Sequence, residues 1–173
     1  IPSTRIYGAN RYETSYKVFD QGWESSEYAV IVYGLDYPDA LCATPLAAKY
    51  NAPIILAQNK RLTEQQDLVN ILKEKGVKQV FIAGGTGIIP SSFEGDLKKL
   101  GISSKRLGGK DRYETSVAIA KELSSNTGEI SLASGLGFAD GLSISSIAGK
   151  RNMAVLLTGK DKLPKSVADY IKN

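Results

Sequence analysis

The chain has 173 residues and 42% hydrophobic content, enough for one ordinary domain or two small ones with a real core. Its 22 Lys and Arg against 18 Asp and Glu leave a net charge of +4, spread without a run; this suits an anionic partner without naming one and gives nucleic acid no specific support. The lack of histidine and the single cysteine, Cys42, exclude an internal disulfide, a Cys-x-x-Cys metal site, His-ligated zinc, and Ser-His-Asp or Cys-His catalysis within this chain.

The first helix is expected from Asn10, whose side chain caps it while Glu13 reaches back, with Tyr12, Tyr16 and Phe19 following at helical spacing. Tyr28 to Tyr33 is a continuous apolar, β-branched run, the pattern of a parallel strand buried on both faces, and Gly34 ends it. A small-residue helix over Pro38 to Tyr50 carries Asp39 in its first turn, where a negative charge suits the helix dipole. Pro53 to Ala57 reads as the next strand. Thr63 with Gln66 is expected to cap a helix running to Lys75, which Gly76 stops, and Val77 to Ala83 makes the third strand. Gly84-Gly85-Thr86-Gly87 reads as a tight turn rather than a phosphate loop, because neither Gly-Lys-Ser/Thr nor a complete G-x-G-x-x-G pattern accompanies it. Pro90 then opens a short helix to about Lys99.

Beyond Gly101 the pattern starts again. Arg11-Tyr12-Glu13-Thr14-Ser15 recurs as Arg112-Tyr113-Glu114-Thr115-Ser116, an offset of 112 − 11 = 101, and the same offset relates Arg5 to Arg106, Gly8 to Gly109, Gly34 to Gly135, Asp39 to Asp140 and Ala47 to Ala148. Residues 5–72 and 106–173 are identical at 16 of 68 positions, where unrelated sequences match at roughly 6%. Duplication is the economical explanation. The second copy has a helix from Arg112, a strand over Ile130 to Ala133, a helix from Ala139, a strand over Ala154 to Leu157 and a helix from Pro164, without a counterpart of the third strand. Apolar surface left open there is expected to be covered by the first copy or by another chain.

The chain therefore divides into 1–105, a complete unit, and 106–173, an incomplete one. Strands separated by single helices imply right-handed crossovers and tandem three-layer α/β modules with short parallel sheets. The loops 34–39, 84–87 and 135–140 follow strand C-termini, the edge at which open parallel sheets bind ligands. No apolar run approaches the roughly 20 residues of a membrane span, and no signal-peptide pattern opens the chain. With Ile1 in first place, the sequence reads as a processed or excised piece whose export signal lies outside it.

Two roles suit the repeated arginines Arg11 and Arg112. Each is placed to hold Asp39 or Asp140 in a bidentate pair, the reading that spacing favours, or to present its planar fork to an acidic polymer. Asp36 and Asp39 form the one close carboxylate pair in a strand-end loop, an arrangement that invites glycosidase or metal chemistry, but Gly137 replaces Asp36 in the second copy. Cys42, matched by Ser143, reads as an inert buried residue with no base beside it.

The ordered motifs over Arg5 to Thr14, Tyr28 to Tyr33, Gly34 to Leu41, Pro45 to Ala48 and Ile82 to Gly85, with the second run through Arg106 to Leu142, resemble the type 2 cell-wall-binding repeat (CWB2) of clostridial-type cell-wall and S-layer-associated proteins. The second copy departs from that pattern at Gly141, where alanine is usual, and at Ser146, the position of Pro45. The resemblance implies a Toprim-like α/β fold and a non-catalytic module, typically one of three around a pseudo-threefold axis. Such modules hold an exported protein non-covalently on an anionic polysaccharide or teichoic-acid-like polymer at a Gram-positive cell surface, without cofactor, metal, nucleic acid or membrane insertion. Under it, Arg5, Arg11, Tyr12, Thr14, Asp39, Gly84 and Gly85, with Arg106, Arg112, Tyr113, Thr115 and Asp140 of the second copy, are candidate ligand-binding or inter-module residues. Several weak sites on one chain would retain a repetitive polymer through effective concentration. Two other functions stay open at this point: a hydrolase acting on wall glycan through Asp36 and Asp39, and a structural spacer serving assembly alone.

Overall fold

A computed structural model describes residues 1–125 and 127–172. The elements are α1 (Arg11–Gly22), β1 (Tyr28–Tyr33), α2 (Pro38–Lys49), β2 (Ile54–Ala57), a 3₁₀ turn (Leu62–Glu64), α3 (Gln66–Glu74), β3 (Gln79–Ala83), α4 (Ser92–Lys99), β4 (Ser103–Leu107), α5 (Arg112–Leu123), β5 (Ile130–Ser134), α6 (Ala139–Arg151), β6 (Ala154–Thr158) and α7 (Lys165–Lys172). All pairings are parallel: a four-stranded sheet in the order β2-β1-β3-β4 and a two-stranded sheet β5-β6.

The period-2 geometry of the strands sorts the first core into two faces. Ala29, Ile31, Val80 and Ile82 point to one side, where α1, α3 and α4 bring Phe19, Leu68, Leu72, Phe93 and Leu97 against them. Val30, Val32, Phe81 and Ala83 point to the other, under Cys42, Ala43 and Leu46 of α2. The three layers expected from the alternation of strands and helices are thus present. Each fully buried Leu, Ile or Phe contributes roughly 1.5–3 kcal/mol through lost water contact.

Helix α2 also serves the second copy. It packs on α5, α6 and β6, so one continuous core joins Val30 and Leu46 to Val117, Ala120 and Leu156. Small residues allow this: a Cβ on Gly141 would stand 2.7 Å from Leu41 Cδ1, and one on Gly149 would stand 3.2 Å from Ala48 Cβ. The Gly141 departure therefore has a steric reason, the side chain of Leu41 lying where an alanine methyl would go.

Two local expectations are corrected. Thr63 does not cap α3; it lies in the 3₁₀ turn, and α3 begins at Gln66 without a side-chain cap. The buried Gln65 side chain closes that loop instead, accepting from Gln58 N at 2.8 Å and donating to Lys60 O at 3.1 Å. The second correction is β4, a strand that the apolar pattern did not announce because Ser103, Ser104, Lys105 and Arg106 are polar. It pairs along β3 from Gln79↔Ser103 to Ala83↔Leu107. The boundary expected between 105 and 106 falls inside this strand.

At the helix crossing, Gly149→Val is expected to destabilise the chain by about 1–3 kcal/mol through overpacking against α2. Gly95→Ala, on the solvent side of α4 where a Cβ meets nothing within 4 Å, is expected to stabilise by about 0.5–1 kcal/mol. Urea midpoints of the two variants check both signs.

Candidate functional site at the strand-end loops

The duplicated Arg-Tyr-Glu-Thr-Ser motif begins each copy's first helix and clamps three segments to it. Asn10 Oδ1 accepts from Tyr12 N and Glu13 N, both at 3.0 Å, and Asp111 repeats the cap on Tyr113 N and Glu114 N. Glu13 reaches back to Ala9 N at 2.8 Å and Glu114 to Lys110 N at 2.9 Å. The hydroxyls of Thr14 and Thr115 accept from Gly8 N and Gly109 N. Ser15 and Ser116 accept from Leu56 N and Leu157 N, each at 3.2 Å, tying the helix to β2 and β6. Tyr12 and Tyr113 lie so close over Gly34 and Gly135 that an added Cβ would meet their rings at 2.4 and 2.7 Å.

The arginines differ from the expected aspartate pairing. Arg11 Nη1 donates to Gly34 O at 2.9 Å, and Arg112 Nη1 donates to Gly135 O at 2.6 Å. Both guanidinium groups thereby bond the carbonyls of buried glycines where β1 and β5 end. Arg112 extends further, its Nη2 reaching Asp36 Oδ2 of the first copy at 3.3 Å. Arg106, on β4, is held more tightly: Nε and Nη2 fork onto Glu94 at 2.6 and 2.8 Å, while Nη1 and Nη2 reach Gly84 O and Pro90 O. That hydrogen bonding holds the Glu94 carboxyl below its ordinary range.

Strand-end loops of the first copy meet the start of α5 of the second around a cleft of about 380 Å³, lined by Asp36, Asp39, Thr86, Lys110 and Arg112 among others, with the Gly85–Gly87 turn on one wall. Of the residues singled out from sequence, Asp39, Gly85, Arg112 and Thr115 line it, and Gly84 adjoins it, a Cβ there standing 3.0 Å from Asp39 Oδ2. Arg106 supports the turn from behind through Gly84 O. Arg5, Arg11, Tyr12 and Thr14 are not brought to this cleft, and neither are Tyr113 and Asp140. Lys110 and Thr86 carry neither sequence signal: Lys110 is matched by Ala9 at the repeat offset, and neither residue belongs to the family motif that picks out Gly84 and Gly85. A second cleft of about 440 Å³, between α5 and α7, is lined by the second copy alone.

Burial pushes the Asp39 carboxyl from 3.8 up to about 6; neighbouring Asp36 pushes the same way and Arg112 opposes. Lys110 and Arg112 thus share the cleft with carboxylates, one of which takes up its proton near pH 6. Cys42 is buried, which pushes its thiol up and leaves it inert as expected. Among the described residues no cluster of His, Cys, Asp and Glu could hold a metal ion.

Arg106→Ala is expected to cost about 2–3 kcal/mol, because it leaves Glu94 and Gly84 O without their donor, while Pro90 O keeps Phe93 N. Arg112→Ala, which removes a half-exposed ion pair and the donor to Gly135 O, is expected to cost about 1–2 kcal/mol; chemical denaturation ranks the two. Asp39 has a folded-state value above its ordinary one, so its stabilising contribution is complete below about pH 4 and is lost as pH rises through about 6. Asp39→Asn should remove that loss, up to roughly 3 kcal/mol between pH 4 and pH 7, and paired unfolding curves at those two pH values measure it.

The family model for cell wall binding domain 2 (CWB2) matches residues 5–94 and again 106–172. The chain is 34% identical over 169 residues to the N-acetylmuramoyl-L-alanine amidase LytC of Bacillus subtilis strain 168, covering 98% of this chain and 34% of that protein. It is 35% identical over 160 residues to the amidase enhancer of the same organism, covering 92% of this chain and 22% of the relative. Among solved structures, Cwp6 from Clostridium difficile superposes with a TM-score of 0.85 at 35% identity, over 95% of this chain and 26% of that one. Cwp8 from the same organism gives 0.83 at 30% identity, over 95% and 29%. The chain spans about a third or less of the length of each of these proteins. The family is a binding domain, so the hydrolase reading of Asp36 and Asp39 is set aside. With one family match in each of its two copies and the same fold as Cwp6 and Cwp8, the chain belongs to the cell wall binding domain 2 family.

Proposed function

We propose that this chain anchors an exported protein non-covalently to an anionic polysaccharide or teichoic-acid-like polymer of a Gram-positive cell wall, and that the polymer lies in the cleft between the two copies. The observation that carries the reading is the convergence there of Lys110 and Arg112, at the start of the second copy's first helix, with the Gly85–Gly87 turn at a strand end of the first. A polymer phosphate or carboxylate beside Lys110 gains a charge-assisted hydrogen bond. Sugar hydroxyls find acceptors in Asp36 and Asp111, so the carboxylates in the cleft select a polyol polymer over a bare polyanion. The likeness to an amidase and an amidase enhancer, each much longer than this chain, supports a role as an attachment region beside a separately folded activity.

Further repeats complete the anchor in this reading, arranged about a pseudo-threefold axis. Leu136, Phe138, Leu142 and Ile147, on α6 and the loop before it, are exposed. An apolar surface of that kind is what a third repeat would cover.

Retention on purified wall at rising salt tests the proposal. The folded chain, joined to its further repeats, is expected to bind at low salt and elute as ionic strength rises. Lys110→Glu should weaken retention by about tenfold, the loss of roughly 1.4 kcal/mol, with unchanged thermal stability. No binding at low salt, or a Lys110→Glu variant that binds as well as the parent, overturns it.

A further inference from the structure

Strand β4 sits in the sheet of the first copy but carries the sequence of the second. Its counterparts at the 101-residue offset are Pro2 to Ile6, in which Ser3 matches Ser104, Arg5 matches Arg106, and Thr4 and Ile6 replace Lys105 and Leu107. Both replacements are β-branched and favour a strand. The docked segment is well seated: Ser103 N donates to Lys78 O at 2.8 Å, Leu107 O accepts from Gly84 N at 2.9 Å, and Leu107 is 4% exposed. By contrast, Pro2 to Ile6 lies outside every helix and strand and is exposed, Ile6 at 37%, with Arg5 resting over the Tyr7 ring.

A second contact runs in the same direction. Arg112 of the second copy bonds its own Gly135 O and the first copy's Asp36. Arg11 bonds its own Gly34 O but makes no ion pair among the described residues, and it is exposed. Strand and arginine therefore both pass from the second copy to the first, and neither contact has its reciprocal among the described residues; the bond that runs the other way, Lys49 Nζ donating to Leu123 O at 2.6 Å, is of a different kind. A twofold relation would require the reverse contacts as well, so the interface is heterologous. Meanwhile Tyr37 meets its own counterpart Phe138 at 5.9 Å between ring centroids, and Ala48 lies against its counterpart Gly149. Residues that touch their own equivalents lie near a rotation axis, here one of order above two.

We infer that Pro2 to Ile6 is a donor strand: it adds in parallel to the open third-strand edge of a further repeat, seating Arg5 on a carboxylate at the Glu94 position and Arg11 on one at the Asp36 position. The third strand of the first copy is already covered by β4, so a second copy of this chain does not offer that edge through its first repeat. The partner is a repeat whose third strand is uncovered. Main-chain hydrogen bonds to an unpaired edge supply the affinity and the two arginines supply the register. The inference rests on the reading that further repeats assemble with this chain.

Hydrogen exchange tests it in a chain extended to three complete repeats. Amides of Ser3 to Ile6 are expected to exchange at least about 100-fold more slowly there than in the 173-residue chain, where they exchange freely. Arg5→Ala should remove most of that protection, and Arg5→Lys should restore part of it. In the 173-residue chain Arg5→Ala should leave the melting temperature unchanged. Free exchange at Ser3 to Ile6 in a three-repeat chain that small-angle scattering shows to be packed together overturns the donor strand alone. Three repeats that do not pack together overturn the assembly reading and this inference with it.

Discussion

The fork of Arg106 on Glu94 is the contact on which the two copies depend. It fixes β4 along β3, so the first residues of the second repeat become the last strand of the first repeat's sheet. From that strand the chain must turn at Gly108 and Gly109, and α5 starts against α2. A Cβ on Gly108 would stand 2.6 Å from Gly84 O, so the turn packs directly on the strand-end loop of the first copy. The cleft between copies is a consequence of this exchange: its walls are the loop that Arg106 supports and the helix start that follows β4. A chain built this way has no flexible linker between its two copies, and the relative position of Lys110 and the Gly85–Gly87 turn is set by sheet register.

Electrostatics within the cleft are balanced rather than uniformly basic. Lys110 and Arg112 stand among Asp36, Asp39 and Asp111, and burial leaves Asp39 close to half-protonated near pH 6. Such a surface discriminates by hydrogen-bond geometry more than by bulk charge.

Much of the fold was legible because its signals are local. Continuous apolar runs marked β1, β2 and β3, and the Asn10 cap and Gly76 stop are single-residue chemistry that tertiary context did not override. Asn51 and Asn152, identical at the repeat offset, both adopt positive φ at the end of the small-residue helix, a conformation that asparagine tolerates. The start of α3 was misread because the Thr63 and Gln66 pattern imitates a cap, while the real closure comes from the side chain of Gln65 bonding residues that only the folded loop brings near. Strand β4 was missed because its residues are polar, and what makes them a strand is an open edge on β3, which lies outside the segment itself.

The candidate site divides in the same way. The sequence by itself determined that the chain is duplicated, that its loops gather at strand C-termini, that histidine and disulfide chemistry are excluded, and that the Arg-Tyr-Glu-Thr-Ser motif matters, because repetition and composition are properties of the chain alone. Only the tertiary structure decided what the motif does. Whether Arg11 meets Asp39 or Gly34 O, and whether Tyr12 faces solvent or covers a glycine, depends on distances of a few ångströms between segments more than 20 residues apart. Capping, carbonyl bonding and close packing against glycine won over aspartate pairing because Gly34 and Gly135 are buried and their carbonyls offer the two arginines acceptors within reach.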